Sequence, residues 1–231
     1  MALSDGRSLP ASVLAAEAGV TPQAASAQLA RLISAGLLAV EPSGRHRYYR
    51  LATARVTGVL EALAQLAPMQ PVRSLRQSTR EARLRNARTC YDHLAGRVGV
   101  QITQALIDAG ALTATDGVAD NRRRPSDELS SRVVEHPYTI GPNATAVFAG
   151  LGVPAGRLSE RSPRTLLRFC VDWSEQRHHL AGRLGALLLA AFLDAGWIIR
   201  TPGHRAVRIT PAGRAAVGER LGIAIDDRPL D

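Results

Sequence analysis

The sequence predicts a mainly helical α+β fold with small β-hairpins: a two-helix-and-hairpin head, then a longer, internally duplicated half. Three observations carry this. Apolar residues recur at helical spacing between positions 9 and 34, with turn signals between them. A strand–turn–strand pattern follows over residues 37–51. Two blocks in the second half then share one order of residues: Cys90-Tyr91-Asp92-His93-Leu94-Ala95-Gly96-Arg97, and Cys170-Val171-Asp172-Trp173 continuing after a short insertion as His179-Leu180-Ala181-Gly182-Arg183. The boundaries that follow are a head at 1–67, an Arg-rich linker helix at 68–88 and a duplicated domain at 89–231, its copies at 89–154 and 169–224.

In the head, Leu9-Pro10-Ala11-Ser12 opens a first helix carrying Val13, Leu14 and Ala18, and Gly19 stops it. Thr21 then caps a second helix, with Pro22 at its first position, where the missing N–H costs nothing. That helix, residues 22–34, places Ala25, Leu29, Leu32 and Ile33 on one face and Gln23, Ser26, Gln28 and Arg31 on the other. Two short helices meeting at a tight Gly-Val turn have helix-turn-helix spacing. Small residues near the start of the second helix, Ala24, Ser26 and Ala27, permit close approach to a DNA groove. Gln23, Ser26 and Gln28 suit base edges, and Arg31 a phosphate or guanine. Leu37-Leu38-Ala39-Val40-Glu41, Pro42-Ser43-Gly44 and Arg45-His46-Arg47-Tyr48-Tyr49-Arg50-Leu51 read as a hairpin wing. Arg45, His46 and Arg47 sit at or beside its tip, where positive charge fits phosphate or minor-groove contact.

Three stretches of the head carry a family likeness: Leu14-Ala15-Ala16-Glu17-Ala18-Gly19-Val20-Thr21, Ala30-Arg31-Leu32-Ile33-Ser34-Ala35-Gly36-Leu37-Leu38, and Gly44-Arg45-His46-Arg47-Tyr48-Tyr49-Arg50-Leu51. In order and spacing they resemble the arsenic-repressor (ArsR) family of winged helix-turn-helix transcriptional regulators, over about the first 66 residues. The resemblance implies a homodimer on double-stranded DNA at an inverted-repeat operator, normally as a repressor that a ligand, often a soft metal, releases. It extends the contact set Gln23, Ser26, Gln28, Arg31, Arg45, His46 and Arg47 to the cap residue Thr21. The family has a helix before the segment resembling Ala2-Leu3-Ser4-Asp5-Gly6-Arg7, a point at which Met1 stands here. Either a helix precedes Met1 or the dimer uses other surfaces. Residues 53–66, with Val56, Val59, Leu60, Leu63 and Leu66 on one stripe, offer an interface or a packing face within the subunit. The duplicated half looks like a longer subgroup of the same family, for which the resemblance names no effector.

Pro68-Met69-Gln70-Pro71 marks the boundary after the head. Arg73, Arg76, Arg80 and Arg83 then recur at helical spacing, a basic face for phosphates, an acidic partner or solvent. Each copy beyond it reads as helix, turn, hairpin, helix. Residues 113–137, rich in arginine at Asn121-Arg122-Arg123-Arg124, read as an exposed loop.

Cys90 and His93, at i and i+3, are expected to share a helix face, and Cys170 and His179 are their counterparts. Thiolate plus imidazole is the ligand set of Zn²⁺ or a softer metal, and pseudo-symmetry would bring the four together. The same residues are accounted for by packing, with cysteine as a small hydrophobe and histidine bonded to a carbonyl, or by a pocket for an organic effector. No cofactor is required by the reading of the head.

Composition limits the remaining classes. The 231 residues are 45% hydrophobic but only 4% aromatic, so cores must be aliphatic. Net charge is +9, and all 29 basic residues are arginine, which favours a polyanionic partner. No apolar core of a secretory signal lies in the first ten residues, and the longest apolar run, 184–193, is too short for a bilayer. Two cysteines make no disulfide framework. A cytoplasmic protein without a membrane partner is expected. The absence of Gly-x-Ser-x-Gly, a phosphate loop, a dinucleotide fingerprint and His-Glu-x-x-His argues against an enzyme. The competing class is a protein-interaction or metal/thiol-sensing module without specific DNA binding.

Overall fold

The structure, a computed structural model, describes residues 2–43, 46–66, 75–128, 132–201 and 203–225. It divides into two compact units, Met1–Pro68 with Pro202–Arg205, and Met69–Thr201 with Ala206–Asp231. Among the described residues no helix is long and apolar enough to cross a membrane.

In the first unit, β1 (Leu9–Pro10) leads into α1 (Ala11–Ala18). The first helix therefore starts at Ala11 rather than at Leu9, because Leu9 and Pro10 pair with Tyr49 and Tyr48. Gly19 ends α1 with φ 66°, a left-handed conformation that glycine adopts without a Cβ clash. Thr21 caps α2 (Pro22–Ser34), its Oγ1 accepting from the Ala24 amide at 3.2 Å. β2 (Leu38–Ser43) and β3 (His46–Leu51) pair antiparallel from Leu38 opposite Leu51 to Ser43 opposite His46. The sheet order is β1-β3-β2. A small core of Leu3, Leu9, Leu29, Leu38 and Tyr49 holds these elements. α3 (Ala54–Leu66) follows. It buries Thr57 and Glu61 while Val59 and Leu63 are 57% and 55% exposed. Glu61 accepts from Arg205 Nη1 at 2.7 Å within the same unit. Arg45, residues 68–71 and Arg73 lie outside the described residues, as do the side chains of His46, Leu66, Arg76 and Arg80.

The second unit begins with α4 (Leu75–Asn86). Then come β4 (Arg88–Cys90), β5 (His93–Ala95), α5 (Gly96–Asp108), β6 (Leu112–Ala114), β7 (Tyr138–Ile140) and α6 (Ala144–Gly150). A short α7 (Gly156–Ser159) separates these from β8 (Arg168–Val171), β9 (His178–Ala181), α8 (Gly182–Asp194), β10 (Ile198–Arg200), β11 (Val207–Ile209) and α9 (Pro211–Leu221). The order hairpin, helix, hairpin, helix thus occurs twice. It corrects the expected order, since each stretch opens on a strand pair and not on a helix. A single large core includes Leu106, Phe148, Phe169, Leu184, Leu189 and Phe192.

The two stretches interlock: α5 lies against β9, α8 against β5, and β5 against β9. Thr103 of α5 accepts from the Leu180 amide at 2.9 Å and donates to Gly99 O at 2.8 Å. A Cβ on Gly99 would stand 2.6 Å from Leu94 O, and one on Gly185 2.7 Å from Leu180 O. Glycine at these two helix positions is what lets each helix seat against its strand.

Most described residues of the polar stretch between β6 and β7 are exposed, as expected of a loop, but the stretch is pinned at particular points. Asn121 is fully buried and donates to Val100 O and His178 O, at 2.8 and 3.0 Å. Arg124 bonds Asp116 and Asp120 and the carbonyls of Val118 and Arg122. Polar side chains that satisfy one another and the backbone order a segment whose composition reads as solvated.

Candidate functional sites: an exposed helix and a buried cysteine–histidine cluster

The head presents α2 as a nearly bare rod. Only Ala25 and Leu29 are buried along it, and Leu29 with the half-buried Ile33 packs into the small core. Thr21, Gln23, Ser26, Gln28 and Arg31 are all exposed, as are Ala24 and Ala27 between them. Thr21 takes the Ala24 and Ala25 amides and Pro22 has none, so what the exposed helix start offers a negative charge is chiefly its dipole. Arg47 on β3 is exposed beside the wing tip. Arg50 is paired with Glu41 across the hairpin, so it stiffens the wing. The Arg50 guanidinium lowers the Glu41 carboxyl below its usual range. Of the residues singled out in the head, Arg45 and the side chain of His46 fall outside the described residues.

A second site forms where the two stretches of the larger unit meet. Cys90 stands opposite His93 in the β4–β5 pair, and Cys170 opposite His179 in the β8–β9 pair. This corrects the shared helix face expected for Cys90 and His93. A hairpin turn of two central residues also brings i and i+3 together, and Tyr91 takes φ 59° to make it. The cross-hairpin pairs converge: one donor atom from each of Cys90, His93, Cys170 and His179 lies within 4.8 Å of every other. The two imidazoles stack with centroids 5.2 Å apart. Both histidines are buried, at 3% and 1% exposure, and the cysteines are half-buried.

Each histidine of the cluster has a carboxylate beside it. His93 Nδ1 is 3.6 Å from Asp92 Oδ1, and His179 Nδ1 is 3.6 Å from Asp172 Oδ2. Asp92 is held in turn by Arg164, whose Nη2 donates at 2.9 Å. Asp172 is fully buried and accepts from Arg88 Nη2 at 2.9 Å and from the Gly96 amide at 2.6 Å. Burial pushes its carboxyl up, but Arg88, His179 and the Gly96 amide outweigh that and bring it down to about 2. Arg88 also lies over the Trp173 ring at 4.8 Å. The Cys170 thiol, then His179 and His93, hold the Cys90 thiol well below its usual range, against the effect of burial. Cys90 and burial push Cys170 well above it.

No family model matches the chain. Over 225 residues, 97% of this chain and 91% of the relative, it is 39% identical to the uncharacterized HTH-type transcriptional regulator YdfF of Bacillus subtilis (strain 168). The chain belongs to the HTH-type transcriptional regulators.

The exposed face of α2 and the four donors are legible in the sequence, as is Asp172 beside them. Asp92, read from a helical spacing as pointing away, instead stands 3.6 Å from His93, and the arginine partners carry no clear signal. Asp92 and Asp172 flank the histidines, and Arg88 pins Asp172. A signal for the first two is present: both blocks read Cys-x-Asp, so the carboxylates recur with the cysteines. Arg88 carries no signal beyond being one arginine in a basic run.

Proposed function

We propose that this regulator is a homodimeric winged helix-turn-helix repressor of the arsenic-repressor type, bound to an inverted-repeat operator. Its α2 enters the major groove, where Gln23, Ser26 and Gln28 meet base edges, with Thr21 at the helix start. Arg31, Arg45, His46 and Arg47 hold phosphates on either side. The observation that carries this reading is the bareness of α2: a capped helix with small exposed residues, on which only Ala25 and Leu29 are buried and Ile33 is half-buried. The second unit we read as two copies of one element, 89–154 and 169–224, which receive the signal that releases DNA.

The dimer rests on α3. A helix that buries Thr57 and Glu61, half-buries Val56 and Leu60 and exposes Val59 and Leu63 leaves part of its apolar stripe uncovered. An apolar stripe in that position is covered when two copies pair through it. Two recognition helices related by a two-fold axis then sit about one DNA turn apart, which demands a palindromic site.

The test is a fluorescence-anisotropy titration of the full chain against a palindromic duplex selected from random DNA, over a range of salt. The expected result is a preference for the palindrome of about 10³-fold or more over random duplex, and affinity that falls steeply with salt. Arg45→Ala with Arg47→Ala weakens every duplex alike and lowers the salt slope by about 1 for each phosphate no longer neutralised. Equal binding to all duplexes, or an unchanged slope in the double variant, overturns the assignment. It would leave the protein-interaction module as the reading.

A further inference from the structure

We infer that Cys90, His93, Cys170 and His179 form a closed four-ligand site for a borderline-soft divalent cation of the zinc class, clamped between the two hairpins of the larger unit. Its regulatory meaning rests on the DNA-binding reading above, and its existence does not.

Geometry comes first. Zinc bonds of about 2.3 Å to sulfur and 2.0–2.1 Å to nitrogen set tetrahedral donors roughly 3.3–3.8 Å apart. The four donors already lie within 4.8 Å of one another, so side-chain rotation closes the shell without backbone movement. The backbone is fixed on both sides: each cysteine is held opposite its histidine by strand pairing, and β5 packs on β9.

The second observation is the state of the imidazoles. Among the described residues, neither ring nitrogen of His93 or of His179 has a hydrogen-bond partner, although both rings are buried. Buried polar atoms are ordinarily satisfied, and an orphan of this kind calls for an explanation such as an ion. Two adjacent histidines left so, beside two thiols, bring four potential ligand atoms within 4.8 Å of one another. A cation there would accept one lone pair from each ring.

The third observation is the shell around them. A ligating histidine typically turns its other nitrogen to a carboxylate, which sets the tautomer and raises the basicity of the ligand. Asp92 and Asp172 stand at 3.6 Å from Nδ1 of His93 and His179, one in each copy, leaving the other nitrogen free to ligate. Both carboxylates are themselves anchored by arginine, Arg164 and Arg88. Mere packing of a small hydrophobe against a ring predicts neither the paired carboxylates nor their arginines.

The donor set selects the ion. Two thiolates and two imidazoles suit zinc and softer metals and not the hard, oxygen-seeking magnesium or calcium. Four protein ligands leave no open position for water, so the site is a clamp and not a hydrolytic centre. The clamp joins the two copies, and its occupancy would stiffen or free their interface.

The test uses the full chain, purified with a reductant, stripped with a chelator and titrated with Co²⁺ as the probe. The expected result is the absorption of tetrahedral thiolate-bound cobalt, saturating at one ion per chain and displaced by Zn²⁺. Zinc should also shield both thiols from a disulfide reagent by about tenfold or more, since a coordinated thiolate is no longer a free nucleophile. Cys90→Ser with Cys170→Ser loses the cobalt spectrum while circular dichroism reports its fold. If that variant fails to fold, thiol shielding in the native chain decides alone. Three outcomes overturn the inference: no tetrahedral cobalt spectrum in the native chain, the same spectrum in the folded double variant, or thiols that react equally with and without zinc. Formation of a Cys90–Cys170 disulfide in a chain that takes up no cobalt when reduced counts against it in the same way. Metal uptake by a chain with no operator preference keeps this site and removes the DNA reading. Operator binding by a chain that takes up no metal does the reverse.

Discussion

Helices α2 and α8 have the same length and each runs into a β-hairpin, yet they are opposites in burial. α2 hides Ala25 and Leu29. α8 hides Gly182, Arg183, Leu184, Gly185, Leu188, Leu189 and Phe192, and α5 is sealed in much the same way. A buried Leu or Phe is worth roughly 1.5–3 kcal/mol, so α8 is a pillar of its unit, whereas α2 is attached mainly by Leu29, with Ala25 and the half-buried Ile33 beside it. A helix and a hairpin are therefore not enough to make a DNA-reading element. What makes α2 a candidate is the face it leaves uncovered, and what disqualifies α5 and α8 is that nothing of comparable extent remains outside.

The comparison can be broken most directly in the core. Phe192→Ala should cost about 3–5 kcal/mol in urea unfolding of the larger unit, because it leaves a cavity the core cannot close. Gln28→Ala should stay within about 0.5 kcal/mol in the same measurement. Equal losses would mean that α2 is not the free rod described above. A finer probe is Gly99→Ala. Its Cβ would meet Leu94 O at 2.6 Å, so α5 must move off its strand. Thermal unfolding should report a loss of about 1–3 kcal/mol, and no loss would show that the seat is looser than so short a distance implies.

On the exposed helix the expected effects are in binding rather than folding. Gln28→Ala should erase about 1–3 kcal/mol of discrimination at one base pair of each half-site, read by competition with single-base operator variants. Uniform weakening across all variants would reassign Gln28 to the phosphates. Smallest is Thr21→Ala, which removes the acceptor for the Ala24 amide. It should lower the stability of the head by about 1 kcal/mol and slightly weaken binding to every duplex.

The elements of the head are legible from short-range signals. Thr21 before Pro22, Gly19 after Ala18 and the alternation around Tyr49 each act within a turn or a strand pair, and each stands where those signals place it. The strand β1 is not legible, since two residues carry no period and Pro10 reads as a helix start. The β4–β5 hairpin is hidden for a different reason. Its turn is made by Tyr91 at φ 59°, where glycine or asparagine is the usual residue, and a spacing of three serves a helix and a tight turn alike. The ordered polar stretch before β7 escapes the sequence because composition reports the polarity of Asn121 and Arg124 and not whether partners surround them.

From the chain of residues alone came the capped helices, the wing, the repeated Cys-x-Asp and His-Leu-Ala-Gly blocks, and the four donors as a set. These depend on caps, periods and repetition, which are local or visible by inspection. Tertiary structure alone decided that α2 is bare while α5 and α8 are sealed, that α3 turns Val59 and Leu63 outward, and that two hairpins distant in sequence bring two thiols and two imidazoles to one point. Exposure and convergence are properties of what packs against a residue, and no residue carries its neighbours in its own name.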